Sequence, residues 1–210
     1  MLENSKQIVV VGAGIGGLTT ALCLKHFGIN ASVYERSNGV TKAGAGIQLS
    51  PNANRVFSHI GLFDEVSALS RRCKGVRVFD YKSNSQLAIF DYVKFKRDAA
   101  FLFCHRALLV SILYEACKKS KIPIHFDKKL EKIENGKVIF SDGNVHSADI
   151  IIGADGLHSN VRKAVLGEET PVFTRQIAWR SIVPNSINQD DFSHVTLAPK
   201  RHLVSYPIND

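Results

Sequence analysis

The sequence has few cysteines and prolines and only one tryptophan and one methionine. Its 210 residues include 4 cysteines, 6 prolines and 15 glycines. The cysteines lie far apart and form no C-x-x-C pair, which excludes a disulfide-stapled miniprotein and predicts no metal site. The low proline and glycine content excludes a collagen-like or low-complexity chain. Widely spaced thiols in apolar runs fit a reducing compartment, so a cytoplasmic location is expected.

A membrane segment is also missing from the sequence. Residues 8–24 carry no charge, but glycines interrupt them, and they are shorter than the ~20 apolar residues that a membrane span needs. The small residue that a signal-peptide cleavage site requires is absent from their end. The sequence therefore predicts no membrane span.

Positive charge exceeds negative charge without forming a block. Lys and Arg total 27 against 19 Asp and Glu, a formal net charge of +8. No run of five like charges and no basic arm occurs, so the basic residues indicate a solvated surface. Nucleic-acid binding, which would require a steep salt dependence, is not predicted.

The pattern of apolar residues predicts an α/β fold. Residues 7–11 form a short apolar run typical of a buried parallel strand, and residues 16–27 and 31–34 follow as a helix and a second strand. This order is a β-α-β unit. Further along, residues 129–134 and 137–140 flank Asn135-Gly136, the strongest short hairpin signal. The prediction is a Rossmann-like domain whose parallel sheet carries an inserted antiparallel β-meander.

Two domains are expected. Residues 1–170 are predicted to form the Rossmann-like domain, and residues 171–210 to be the incomplete β-sheet of a second, substrate domain. Segments around 72–104, which contain two strand patterns, are candidates for the substrate domain. In the second region, strands are predicted over residues 172–183, 195–198 and 203–208.

A glycine motif carries the strongest chemical signal. Gly12, Gly14 and Gly17 satisfy G-x-G-x-x-G after a predicted strand and at the start of a predicted helix, and Glu35 ends the following strand. Gly12 permits a tight turn, Gly14 lets the backbone approach a pyrophosphate, and Gly17 lets helix and strand pack closely. The helix N-terminus favours phosphate, and Glu35 is expected to accept hydrogen bonds from an adenosine ribose.

The residue after Glu35 has two interpretations. An arginine at this position would suit a 2′-phosphate, but Glu35 would repel that group. Arg36 is therefore expected either to pack over an adenine face or to be an ordinary surface residue.

A second candidate lies at the end of the predicted strand 148–152. In open α/β sheets, ligands bind at the carboxyl ends of strands, where Asp155 stands between small residues. This carboxylate suits a ribose or a neighbouring arginine. An ordinary Asp-Gly turn explains the same residues.

Five segments in order resemble the N-terminal part of class A flavoprotein monooxygenases, the para-hydroxybenzoate hydroxylase and salicylate hydroxylase group. They are residues 11–18, 34–36, 44–52, 105–109 and 153–162. The last segment matches the family's D-G motif with its trailing S-x-x-R and is far more specific than the glycine motif. Residues 178–184 are similar to the family's W-R-G-x-V-P segment, with Ser181 in place of the usual glycine.

The resemblance implies FAD in the glycine-motif site. It places Glu35 on the adenosine ribose, Arg106 on the FAD pyrophosphate, and Asp155 beside both FAD and the nicotinamide cofactor. The loop 44–52, including Gly46, would run beside the flavin ring. The backbone of Leu130 would meet the adenine.

The resemblance also implies an activity. NADH or NADPH would reduce FAD, and O2 would form a flavin hydroperoxide that hydroxylates a small, phenol-like aromatic substrate. Tyr206, Arg180 and His202 lie in the predicted substrate region, but no residue is identified as catalytic. The oligomeric state and the choice of nicotinamide cofactor are not readable from the residues.

Alternatives remain at this stage. Other flavoproteins of the superfamily, such as an epoxidase, a halogenase or a reductase, share the same motifs. The family's downstream G-D-A-A-H flavin motif does not occur in these residues, so an incomplete chain is expected. A truncated, non-catalytic FAD- or nucleotide-binding fragment is the corresponding alternative.

Overall fold

The computed structural model describes residues 6–40, 44–95 and 99–209. Its strands are β1 (Ile8–Val11), β2 (Ser32–Tyr34), β3 (Gly46–Leu49), β4 (Ser70–Arg72), β5 (Gly75–Asp80), β6 (Gln86–Asp91), β7 (Leu102–His105), β8 (Ile124–His125), β9 (Leu130–Glu134), β10 (Lys137–Phe140), β11 (Val145–Ser147), β12 (Ile150–Gly153), β13 (Phe192–Ala198) and β14 (Arg201–Ser205). Its helices are α1 (Ile15–His26), α2 (Pro51–His59), α3 (Phe63–Ala68), α4 (Tyr92–Phe95), α5 (Arg106–Lys119) and α6 (Asn160–Leu166).

The chain divides into two compact units that interleave along the sequence. Unit 1 comprises residues 1–42 and 109–179, and unit 2 comprises residues 43–108 and 180–210. The predicted boundary between the two domains, after residue 170, stays a prediction. The strand pair within residues 72–104 lies in unit 2, the unit that also holds residues 180–210.

Unit 1 contains the predicted parallel sheet. Its strand order is β12-β1-β2-β8, and each neighbouring pair is parallel. All four residues of β1 are buried because neighbouring layers cover the strand on both faces. The predicted β-α-β unit is therefore confirmed, and the carboxyl ends of β1, β2 and β12 meet at one edge.

The predicted meander is also present in unit 1. Strands β11, β10 and β9 form an antiparallel sheet, and Asn135 and Gly136 both have positive φ, as a type I′ hairpin turn requires. One buried cluster joins this meander to the parallel sheet. Its members are Val9, Val11, Tyr34, Leu130, Val138, Phe140, Ala148 and Val161.

Unit 2 is built from two smaller sheets. The orders are β14-β13-β5-β6, a mixed sheet, and β3-β7-β4, an antiparallel one. The side-chain amide of Gln48 on β3 donates to the buried hydroxyl of Ser193 on β13 across 3.3 Å and so links the two sheets. Two of its strands, β13 and β14, correspond to the strands predicted over residues 195–198 and 203–208, with earlier starts.

The prediction of a strand over residues 172–183 is wrong. The structure places no strand there, and the apolar side chains are exposed, Val172 at 86% and Trp179 at 93%. The apolar residues suit a strand, but a strand also needs a hydrogen-bonded neighbour. None of the strands in the described part of the chain pairs with this segment.

An ion-pair cluster in unit 2 makes the stability of the protein pH-dependent. Asp191 accepts from Arg71 at 2.5 Å and lies 3.1 Å from the Lys74 ammonium. The hydrogen bond from Arg71 lowers the pKa of Asp191. Its stabilisation is therefore present above the ordinary aspartate pKa of about 4 and is lost as the pH falls through the lowered pKa of the folded state.

We expect Asp191→Asn to lower the free energy of unfolding at pH 7 by about 1 kcal/mol, a small value because solvent screens a partly exposed pair. Urea unfolding at several pH values between 7 and 3 measures it. The variant should also lose less stability below pH ~4 than the wild type does. Parallel pH curves for the two proteins would contradict the role of Asp191.

Candidate functional site

The glycine loop between β1 and α1 is packed against the end of β12. Gly12 has a φ of +105°, and a Cβ on it would lie 2.4 Å from the carbonyl oxygen of Ala154. A Cβ on Gly17 would lie 1.8 Å from the carbonyl oxygen of Gly12. The structure thus uses these two glycines for close packing within unit 1, in agreement with the roles predicted for them.

Gly14 differs from its two neighbours in the motif. It is the N-cap of α1, and no described atom outside residues 13–15 lies within 4 Å of the position that a Cβ would take. The N–H groups in the first turn of a helix have no partner within that helix. The protein itself therefore leaves an open, electropositive approach at Gly14, which fits a phosphate group.

Glu35 lies beside the same loop at the end of β2. One of its carboxylate oxygens accepts from the N–H of Ala13 at 2.7 Å, and the other accepts from the N–H of Ser37 at 2.9 Å. These bonds fix the carboxylate against the glycine loop. Each oxygen keeps a further lone pair, which suits a ribose hydroxyl. The next side chain, Arg36, is exposed.

Asp155 follows β12 and holds the start of α6. Its Oδ1 accepts from the Ser159 hydroxyl at 2.6 Å, and its Oδ2 accepts from the N–H groups of Asn160 at 2.7 Å and Val161 at 3.3 Å. Ser159 in turn caps the helix by accepting from the N–H of Arg162. Asp155 therefore organises its own loop. A direct contact of this carboxylate with a cofactor remains a prediction.

We expect Asp155→Ala to lower the free energy of unfolding by about 1–2 kcal/mol, as the loss of a helix-capping side chain does. The reason is that two backbone N–H groups and a hydroxyl lose their acceptor. Thermal unfolding followed by circular dichroism measures the effect. Asp149, whose carboxylate accepts from Gln7 N–H at the surface, offers Asp149→Ala as a control with a smaller effect. Equal losses in both variants would contradict a special role of Asp155.

Leu130 is connected to this loop. It begins β9 with its side chain buried, and its carbonyl oxygen accepts from the side-chain amide of Asn160 at 2.6 Å. Asn160 thus contacts Leu130 with its side chain and Asp155 with its main chain. Sequence reasoning did not single out Asn160 within the segment 153–162, because its partner lies 30 residues away in the chain.

The remaining predicted residues lie in unit 2. Gly46 begins β3, and Arg106 begins α5 with its N–H donating to the carbonyl of Ala45 at 3.0 Å. An open cleft of about 560 Å³ lies beside them. Its lining residues are Gly44, Ala45, Arg106, Arg180, Ser181 and Ile182.

Tyr206 packs on Gly46 within unit 2. A Cβ at Gly46 would lie 2.6 Å from the tyrosine ring, and that ring stacks on Phe103 with centroids 4.9 Å apart. The pKa of Tyr206 is raised because the effect of burial exceeds the opposing effect of the Arg180 charge. The structure therefore brings Tyr206 to the segment 44–52, whereas His202 is exposed on β14. The prediction that this whole segment is a loop is wrong, because residues 46–49 pair with β7 as strand β3 and α2 begins at Pro51.

The predicted residues fall into two groups. The structure gathers one group around the glycine loop of unit 1, comprising Gly12, Gly14, Gly17, Glu35, Leu130 and Asp155. Gly46 and Arg106 form the other group in unit 2. Within the described ranges, no three His, Cys, Asp or Glu residues form a group suited to a metal ion. The described helices also include none that is long and apolar enough to cross a bilayer.

Comparison with characterised proteins gives relatives with consistent names. The chain is 32% identical to 3-amino-4-hydroxybenzoate 2-monooxygenase from Streptomyces cremeus, covering 99% of this chain and 55% of the relative. It is 30% identical to 6-hydroxynicotinate 3-monooxygenase from Bordetella bronchiseptica, covering 98% of this chain and 56% of the relative. The chain thus spans about half the length of these curated relatives.

The fold has a matching experimental counterpart. The tetrameric form of 2-methyl-3-hydroxypyridine-5-carboxylic acid oxygenase superposes with a TM-score of 0.69 at 26% identity, covering 76% of this chain and 42% of that one. Residues 5–205 match the FAD binding domain family. The chain therefore belongs to the FAD binding domain family, and its resemblance to class A flavoprotein monooxygenases is confirmed.

Proposed function

We propose that the site in unit 1 holds the adenosine and diphosphate parts of FAD. The open approach at Gly14 carries this proposal, because the motif glycine has free space where its neighbours in the motif are packed against backbone. A phosphate at this point meets the N-terminus of α1. Glu35, fixed by two backbone N–H groups, accepts the ribose hydroxyls, and the Leu130 backbone meets the adenine.

The residues of unit 2 carry separate proposals. Arg106 supplies positive charge to the FAD pyrophosphate, and the segment that contains Gly46 runs beside the flavin ring. Asp155 keeps the role given by its contacts and holds the loop after β12 in place. Arg36 packs over the adenine or remains at the surface.

We further propose that the whole protein hydroxylates a small aromatic substrate with NADH or NADPH and O2. When bound, FAD supplies the transfer of electrons from the nicotinamide cofactor to oxygen. The relatives named above act, by their names, on hydroxylated ring compounds. The names of all three proteins described above contain a hydroxylated ring carboxylic acid, so a hydroxylated aromatic acid is the proposed substrate.

The substrate side of the site belongs to unit 2 in this proposal. Burial raises the pKa of Tyr206, and its hydroxyl is a hydrogen-bond donor beside Gly46. Arg180 lines the cleft and supplies positive charge for a carboxylate.

The four cysteines are free thiols, three of them buried, which supports a cytoplasmic location.

The visible absorption spectrum of the purified chain tests FAD binding. The protein is incubated with FAD and desalted, and retained flavin bands are expected. NADH and NADPH oxidation is then measured with a panel of hydroxylated aromatic acids, and with benzoic acid as the non-hydroxylated control. Stimulation by the hydroxylated acids alone supports the hydroxylase.

A flavin-binding chain without catalysis is the second candidate function. The family match supports this candidate, because the matched family is described by FAD binding alone. It predicts retained flavin bands together with NAD(P)H oxidation that no aromatic acid stimulates. A colourless protein after desalting would count against both candidates.

A further inference from the structure

Asn160 joins two parts of the proposed adenosine site. Its main-chain N–H donates to Oδ2 of Asp155 at 2.7 Å, and its side-chain amide donates to the carbonyl oxygen of Leu130 at 2.6 Å. Leu130 is the first residue of β9, and Asn160 is the first residue of α6. A single side chain therefore fixes a strand end to the loop after β12.

The ladder between β9 and β10 is irregular where this bond occurs. Leu130 pairs with Phe140, and the register between the two strands shifts between Ile139 and Phe140. A shifted register leaves the backbone at that point less constrained by the ladder. The Leu130 side chain is anchored in the core, but the orientation of its peptide group depends on a further hydrogen bond. The Asn160 amide supplies that bond.

We propose that Asn160 is a positioning residue that orients the Leu130 peptide group toward the adenine of FAD. The inference rests on the proposed function. It adds a residue that belongs to none of the predicted FAD contacts and acts through Leu130 rather than by touching the cofactor. Recognition of a flat base edge by a backbone group depends on the direction of that group, since hydrogen bonds weaken steeply when misaligned.

Asn160→Asp tests the role most sharply. The carboxylate has the same shape as the amide but cannot donate to the Leu130 carbonyl, and it adds a negative charge beside Asp155. Asn160→Ala removes the side-chain bond and keeps the main-chain bond to Asp155. Asn30→Asp is the matched control, because the exposed Asn30 accepts through its oxygen from Lys25, a role that aspartate retains.

Titrations with FAD and with FMN, which contains no adenosine, separate the outcomes. For Asn160→Asp we expect FAD affinity to fall at least ~10-fold, the effect of an unsatisfied buried carbonyl next to a charge. The FMN titration curve of Asn160→Asp should match that of the wild type. The control Asn30→Asp should have the wild-type affinity for both FAD and FMN. Faster amide hydrogen exchange at residues 130–131 is expected in the Asn160 variant.

Each other outcome is decisive. Unchanged FAD affinity, or FAD and FMN affinities that fall together, would overturn the positioning role of Asn160. Neither result would contradict the proposal that the wild-type chain binds FAD. A wild-type chain that binds no FAD would overturn the proposed function and this inference with it. If Asn160→Asp does not fold, Asn160→Ala takes its place, with an expected FAD affinity loss of roughly 5-fold.

Discussion

Gly17→Ala is expected to lower the free energy of unfolding by about 3 kcal/mol or more, at the upper end of the cost of overpacking. The new Cβ would lie 1.8 Å from the Gly12 carbonyl oxygen, which is backbone and cannot rotate away. Either α1 or the glycine loop must then move. Thermal unfolding without FAD measures the loss, and a decrease in Tm of about 6–12 °C is expected for a chain of this size.

Gly14→Ala is the matched substitution in the same loop. Because no described atom outside residues 13–15 lies within 4 Å of the new Cβ, the loss of stability should stay below about 1 kcal/mol, the cost of replacing a helix N-cap glycine. FAD affinity should nevertheless fall sharply, since the methyl group occupies the space through which a phosphate reaches the backbone. Fluorescence titration with FAD measures this second effect.

The two glycines therefore separate folding from binding. An unchanged Tm for Gly17→Ala would contradict the close packing of α1 on the loop. Unchanged FAD affinity for Gly14→Ala would contradict the proposal that the phosphates approach at this point. Gly28→Ala, at a glycine with φ +75° outside the motif, serves as a control for strain alone and should leave FAD affinity unchanged.

Glu35→Ala is expected to weaken FAD binding by about 10- to 100-fold, because each hydrogen bond to a charged group contributes roughly 1.5–3 kcal/mol. The substitution removes the proposed ribose acceptor. It also releases the N–H of Ala13, which holds the glycine loop against β2. Equilibrium dialysis with FAD measures the change in Kd.

Two further variants show which contribution dominates. Glu35→Gln retains one acceptor oxygen and should lose less affinity than Glu35→Ala. Glu134→Ala removes an exposed carboxylate paired with Lys132 and should bind FAD like the wild type. Wild-type affinity in Glu35→Ala would show that the adenosine lies elsewhere.

Local patterns in the sequence were sufficient where the determining interactions are close in the chain. The buried strand, the glycines and the helix that follow one another in residues 8–26 predict the start of the β-α-β unit, and Gly17 packs against Gly12 within the same loop. The contact of Gly12 with Ala154, in contrast, depends on the tertiary structure. The Asn135-Gly136 turn is likewise decided by two adjacent residues that tolerate positive φ. The family segments added the cofactor and the class of chemistry.

Interactions between distant residues required the tertiary structure. The segment 172–183 has the apolar pattern of a strand, yet a strand forms only beside a hydrogen-bonding neighbour. The residues of the segment do not reveal whether such a neighbour exists. The packing of Tyr206 on Gly46 and the bond from Asn160 to Leu130 join residues that the chain separates widely. The sequence by itself determined the β-α-β start and the hairpin turn, because those depend on local backbone geometry, and its resemblance to a known family indicated the cofactor. Only the tertiary structure decided which side chains support that loop, because their partners are set by how distant strands and helices pack.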